Sequence, residues 1–322
     1  MLETEYARTS SDTVIALEES RMNIPSPTAE LPLTASKDMP IVNVPYPFQQ
    51  GIAEVAKDRA KKPIKLYYEL HGAGMKRIVL VADAPWGFYG TTDMALDLFD
   101  LLAHLGWNSD IHIVGISMGG MLVLKAMTLR PKLFISSCLI ATKASGSGLP
   151  FIATYTLVTN LFKDPEVALK RNIRINFTSS WLSQSAKEEG FDTNFDKVFD
   201  VSLTASVCID DWRQKQRATR NRPQPMSGML SQTFATLRHT VTLKQLQTIK
   251  GTQLPVFVCV GTSDNFIKTK SSYSLRRHLE PIKFHVFNDT GHVIPSCRPR
   301  ELCEQLVEFW TTCEARPIYK RG

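Results

Sequence analysis

No Cys-x-x-Cys pair occurs among the six cysteines, at Cys138, Cys208, Cys259, Cys297, Cys303 and Cys313. That argues against a disulfide framework and against a zinc site built on paired cysteines. No block of five or six like charges appears, although the net charge is +7. Dispersed lysines and arginines of this kind fit a soluble enzyme better than a clustered nucleic-acid or membrane face. No apolar stretch approaches the length of a membrane span. The opening Met1-Leu2-Glu3-Thr4-Glu5 lacks the apolar core of a secretion signal. A cytoplasmic protein without cofactor or metal, monomeric or homodimeric, is the resulting expectation.

What is present is a core-forming composition, 43% hydrophobic over 322 residues. Residues 1–45 are rich in Ser, Thr, Pro and Glu and read as a disordered leader, with a short helix near residues 13–21 as the alternative. Beyond them, strand-like and helix-like segments alternate. Ile64–Leu70 alternates as a half-buried strand. Ile78–Val81, Ile111–Ile116, Phe134–Ala141 and Pro255–Val260 are the apolar runs expected of central parallel strands. Met94, Leu98, Leu101, Leu102 and Leu105 share one face of a helix opened by Thr91 and stopped at Gly106. Residues 143–250 show helix-like periods without strands and read as an inserted cap. The expected domains are therefore a core of 46–142 plus 251–322 and a helical cap of 143–250.

Three motifs carry chemistry. Gly115-Ile116-Ser117-Met118-Gly119 lies between a strand and a helix, a turn that presents a serine hydroxyl beside the helix N-terminus. Serine needs a base and a carboxylate to orient that base. Asp264, in Gly261-Thr262-Ser263-Asp264, follows the strand 255–260. A turn or helix N-cap aspartate is its structural alternative. His292, in Asp289-Thr290-Gly291-His292, follows the strand 282–287 in the same way. His112 and His285 lie inside strands and read as core or sheet-face residues.

Together, Ile113–Met121, Val260–Asp264 and Gly291–Pro295 resemble the α/β-hydrolase superfamily over roughly residues 50–312. The similarity is to lid-bearing esterase-like and C–C-hydrolase-like members, including fungal proteins of secondary-metabolite clusters. It implies an α/β-hydrolase fold, a mostly parallel, doubly wound sheet of eight strands with a helical cap between strands six and seven. It places the catalytic triad on Ser117, Asp264 and His292. The backbone N–H of Met118 becomes an oxyanion donor, and Trp86, Ile116, Trp181 and Val293 become candidates for substrate contact. For Trp181 and Trp212, ordinary cap packing is the competing reading.

One departure stands against these matches. The family places an oxyanion turn, a helix and a fourth strand after strand three. Here Val81 runs directly into Ala82-Asp83-Ala84-Pro85-Trp86-Gly87, which resembles a later segment of the pattern. Strand four is thus expected to be missing, and the second oxyanion donor must come from near Ala82. His71-Gly72 precedes the strand and does not supply that turn. Two functions follow: a serine hydrolase acting on a small, moderately hydrophobic ester, thioester, lactone or activated C–C bond, or a catalytically impaired relative that binds a small ligand or a partner.

Overall fold

The computed structural model describes residues 13–18, 48–71, 76–81, 90–146, 159, 165–185 and 234–316. Among the described residues, eight strands form one sheet: β1 (Thr13–Glu18), β2 (Phe48–Val55), β3 (Ile64–His71), β4 (Arg77–Val81), β5 (Ile111–Ile116), β6 (Phe134–Ile140), β7 (Val256–Gly261) and β8 (Lys283–Phe287). Their spatial order is β2-β3-β1-β4-β5-β6-β7-β8. From β4 to β8 every pairing is parallel. β2 and β3 form an antiparallel pair at one edge.

The strand rhythm follows from burial on both faces. In β6 and β7, Leu139, Val256 and Val258 face one layer of helices, whereas Cys138, Ile140, Phe257 and Cys259 face the other. Successive side chains point to opposite sides. A strand covered on both sides must therefore be apolar throughout. The first layer comprises α1 (Thr91–His104), α2 (Met118–Leu129), α5 (Leu243–Gly251) and α6 (Thr269–Leu279). The second is α7 (Pro299–Glu314), which presents Leu302, Leu306, Phe309 and Cys313 at helical spacing. Glycines and prolines punctuate this order as expected: α1 is followed by Gly106 at φ 71°, and Pro131 opens a short 3₁₀ turn after α2.

The stretch read as a leader contains a strand. β1 pairs parallel to β3, with Ile15 opposite Glu69, and antiparallel to β4, with Ile15 opposite Leu80. It thus lies in the interior of the sheet, and Thr13–Glu18 is a strand where the sequence offers a disordered leader or a short helix. Backbone groups on both flanks gain ladder partners that a directly exposed edge would lack. In chain order β4 is followed by α1, capped at Gly90. Positions 82–89 lie outside the described residues.

Between β6 and β7, the described residues include the helices α3 (Pro165–Asn176) and α4 (Ser179–Leu182). Thr178 caps α4 by accepting from the Trp181 N–H at 3.2 Å. The two ends of this insertion are tied together, since the Val241 N–H donates to the Ala144 carbonyl at 2.7 Å. α5 closes it and packs on α2 and α6. No helix among the described residues is long and apolar enough to cross a membrane.

Candidate active site

Ser117 sits at the step from β5 to α2 with φ 53° and ψ −118°, a left-handed backbone that a serine adopts only when its surroundings enforce it. They do so here. The Ser117 N–H donates to the Ile140 carbonyl at 2.9 Å. Its own carbonyl accepts the Thr142 hydroxyl at 2.7 Å and the Met121 N–H at 3.3 Å. The turn is so tight that a Cβ on Gly115 would lie 2.6 Å from the Gly119 oxygen and the Gly120 Cα. The first glycine of Gly-x-Ser-x-Gly is therefore required by close backbone approach.

His292 and Asp264 reach Ser117 from the ends of β8 and β7. The Ser117 hydroxyl lies 2.8 Å from His292 Nε2, and His292 Nδ1 lies 2.8 Å from Asp264 Oδ2. With Nδ1–H donating to the carboxylate, Nε2 is left to accept the serine proton, a tautomer assigned from this network. Asp264 Oδ1 accepts two backbone N–H groups, from Phe266 and Ile267, each at 2.8 Å. The Asp264 side chain is 0% exposed and that of His292 10%. A fully buried carboxylate that accepts three hydrogen bonds is fixed in orientation. The turn-forming role weighed for Asp264 is thus fulfilled by one of its oxygens, while the other faces the imidazole.

Met118 is the first residue of α2, so its N–H has no partner within the helix and lies at the positive end of the helix dipole. Ile116 is half-buried and packs against the β5–β7 core. Ala82, Trp86 and Trp212 lie outside the described residues. Trp181 and Val293 belong to one small cluster with Leu182 and Cys297, packed by Ile173 and Phe177. Trp181 stacks on Phe177 at 4.6 Å, and its indole N–H donates to the Cys297 carbonyl at 3.2 Å. This polar end of Trp181 is thereby engaged with the segment after His292.

Three contacts have no motif in the sequence. Thr142 holds the Ser117 carbonyl, the Phe266 ring lies 5.1 Å from the His292 ring, and the Asn176 carbonyl accepts the His292 N–H at 3.1 Å. Thr142 and Phe266 each lie just past the C-terminal end of a central strand, the side of such a sheet where sites gather. That was the available signal. Asn176 acts through its backbone, which no side-chain pattern reveals. Of the other histidines, His112 is buried against Ser136, with Nδ1 and Oγ 2.7 Å apart. His285 pairs with Glu301 at 2.8 Å. Among the described residues, no group of three or more His, Cys, Asp or Glu is placed to hold a metal ion.

A Ser–His–Asp chain at the C-terminal edge of a parallel sheet points to the class of the fold. The family model described as alpha/beta hydrolase fold matches residues 71–296, and the chain belongs to that family. Among solved structures, it is similar to a bromoperoxidase from Bacillus anthracis (15% identity, 82% of this chain and 100% of that one, TM-score 0.56). It is also similar to a thermophilic esterase from Thermogutta terrifontis (18% identity, 72% and 75%, TM-score 0.52). A third is the 2-hydroxy-6-oxo-6-phenylhexa-2,4-dienoate hydrolase from Rhodococcus sp. strain RHA1 (16% identity, 80% and 86%, TM-score 0.51). At these identities the likeness concerns the fold. A search of curated protein sequences gives no match.

Proposed function

We propose that this protein is a serine hydrolase acting on a small, moderately hydrophobic ester, thioester, lactone or activated C–C bond. The observation that carries the reading is the unbroken hydrogen-bond chain from Ser117 through His292 to Asp264, with both links at 2.8 Å. Ser117 Oγ attacks the substrate carbonyl carbon while its proton passes to His292 Nε2. The carbonyl oxygen becomes an oxyanion in front of the Met118 N–H. Collapse of the tetrahedral intermediate expels the leaving group, which takes the proton from His292. Water then gives a proton to His292 and attacks the acyl-enzyme. The acid is released and Ser117 regains its proton. Asp264 stays ionised and stabilises the imidazolium.

Ala82 is the position proposed for the second oxyanion donor, and Trp86, Ile116 and Val293 for substrate contact. The apolar substrate class rests on the expected cap and on Phe266, whose ring lies 5.1 Å from that of His292. A place in secondary-metabolite chemistry rests on the resemblance given above. A cytoplasmic setting is supported by the cysteines among the described residues, which are all free.

The test is labelling by a fluorophosphonate probe together with turnover of short p-nitrophenyl esters. Wild-type protein should be labelled, and Ser117→Ala should not. Asp264→Asn should keep the fold while kcat falls by on the order of 10³–10⁴. Equal labelling of Ser117→Ala rules out the assigned nucleophile. A folded wild type that is neither labelled nor active supports the ligand-binding alternative.

A further inference from the structure

The His292 loop does not stand alone on the core. The core holds one side of it, where the Asp289 N–H donates to the Thr262 hydroxyl at 2.9 Å and the Thr290 carbonyl accepts the Ser263 N–H at 3.0 Å, and residues 176–181 of the insertion hold the other. The His292 N–H donates to the carbonyl of Asn176, the last residue of α3, at 3.1 Å. A Cβ on Gly291 would collide with that same carbonyl, so the two backbones meet without a side chain between them. Ser180 donates its hydroxyl to the Asp289 carboxylate. Thr178 donates to the Asp289 carbonyl at 3.4 Å. Trp181, 5% exposed, closes the far end through its indole N–H on Cys297. Residues 176–181 therefore grip residues 289–297 on both sides of the imidazole.

We infer that Trp181 is a positioning residue for His292, and that through it the cap sets the geometry of the proton-transferring imidazole. This inference rests on the assignment of His292 as general base. Its physical basis is a division of labour. Asp264 fixes the ring at Nδ1 and the core holds Asp289 and Thr290 before it, but from His292 to Cys297 the backbone is held by Asn176 and Trp181 of the insertion. Asp289 lies in the left-handed region at φ 48°, in a loop whose conformation is set by contacts around it. The Trp181 ring is stacked on Phe177 and enclosed by Ile173, Val293 and Cys297, so its donor cannot shift without unpacking that cluster. Removing the donor leaves the Cys297 carbonyl unpaired inside it. The loop is then free to move by fractions of an ångström, a scale to which proton transfer between positioned groups is sensitive.

The experiment compares Trp181→Phe with Trp107→Phe. The first keeps an aromatic ring on Phe177 and loses the N–H. The second alters an equally buried tryptophan, 5% exposed, in the layer of α1 and α2. Trp181→Phe should lower kcat roughly tenfold with KM within about twofold, because the loss falls on the chemical step. Trp107→Phe should change thermal stability only. A readout independent of turnover is the downfield imidazole N–H proton resonance of His292, assigned by its loss in His292→Ala. It should broaden in Trp181→Phe and persist in Trp107→Phe. An unchanged resonance in Trp181→Phe overturns the inference. A wild type that shows the resonance but no labelling or turnover overturns the hydrolase reading, while the resonance still decides the role of Trp181.

Discussion

Lowering the pH from about 7.5 to about 5 should destabilise this protein through two histidines that do no chemistry. His112, 2% exposed, has its pKa pushed down to about 4, chiefly by burial. Glu314 opposes that shift and Lys76 adds to it. His239, also 2% exposed, is pushed down to about 3 by burial, with Lys125 and Lys143 adding to the effect. In the unfolded chain each titrates near its ordinary value of about 6.5. Both states are neutral above that value, so the folded form loses nothing there. As pH falls through it, the unfolded chain takes up protons that the folded protein refuses. At about pH 5 the difference is about 1.5 pH units for each residue, or about 2 kcal/mol. Together they remove about 4 kcal/mol, a large share of a typical folding free energy of about 5–15 kcal/mol.

The assay is urea unfolding at the two pH values for wild type, His112→Asn and His239→Asn. Asparagine retains a polar group near the Nδ1 position, so Ser136 and Thr91, which lie 2.7 and 2.8 Å from the two rings, keep a partner. It does not titrate. Each variant should therefore lose about 2 kcal/mol less than wild type over this interval, whatever it costs at neutral pH. Variants that show the full wild-type acid loss would refute the reasoning, because they would place the protons on other groups.

Two further outcomes follow from the backbone. Gly115→Ala should cost about 2 kcal/mol in urea unfolding and lower ester turnover, since its Cβ meets main-chain atoms that cannot rotate away. Unchanged stability and activity would contradict the packing of the serine turn. Ile15→Pro removes a backbone donor from a strand flanked on both sides and should cost about 3 kcal/mol, lowering Tm by several degrees, whereas Ile15→Val should change little. An unaffected Tm in the proline variant would remove β1 from the interior of the sheet.

Much of the candidate site was legible because its parts are local. A buried strand writes itself as an unbroken apolar run, as in Val256–Val260, and the residue that follows it is carried to the C-terminal edge of the sheet. Ser117, Asp264 and His292 could be placed in that way, each from a few neighbouring residues. The chain alternation of strands and helices likewise gave the class of fold.

Long-range contacts were not legible. Thr13–Glu18 is six residues in a polar stretch, and nothing in its own period says that it pairs with β3 and β4. Pairing depends on which ladder is open, a property of the assembled sheet. Trp181 was read as either a substrate contact or cap core. Its partner Cys297 lies more than a hundred positions away, and only the folded chain brings that carbonyl to the indole. The Asn176 carbonyl is more hidden still, because every residue has one. By itself, then, the sequence determined the strands from Ile64 onward, the serine turn and the order of Ser117, Asp264 and His292 along the chain, since these follow from local periodicity and turn geometry. The tertiary structure decided which segment completes the sheet and which backbone carbonyl receives the His292 N–H, since those depend on backbone groups that carry no residue-specific mark.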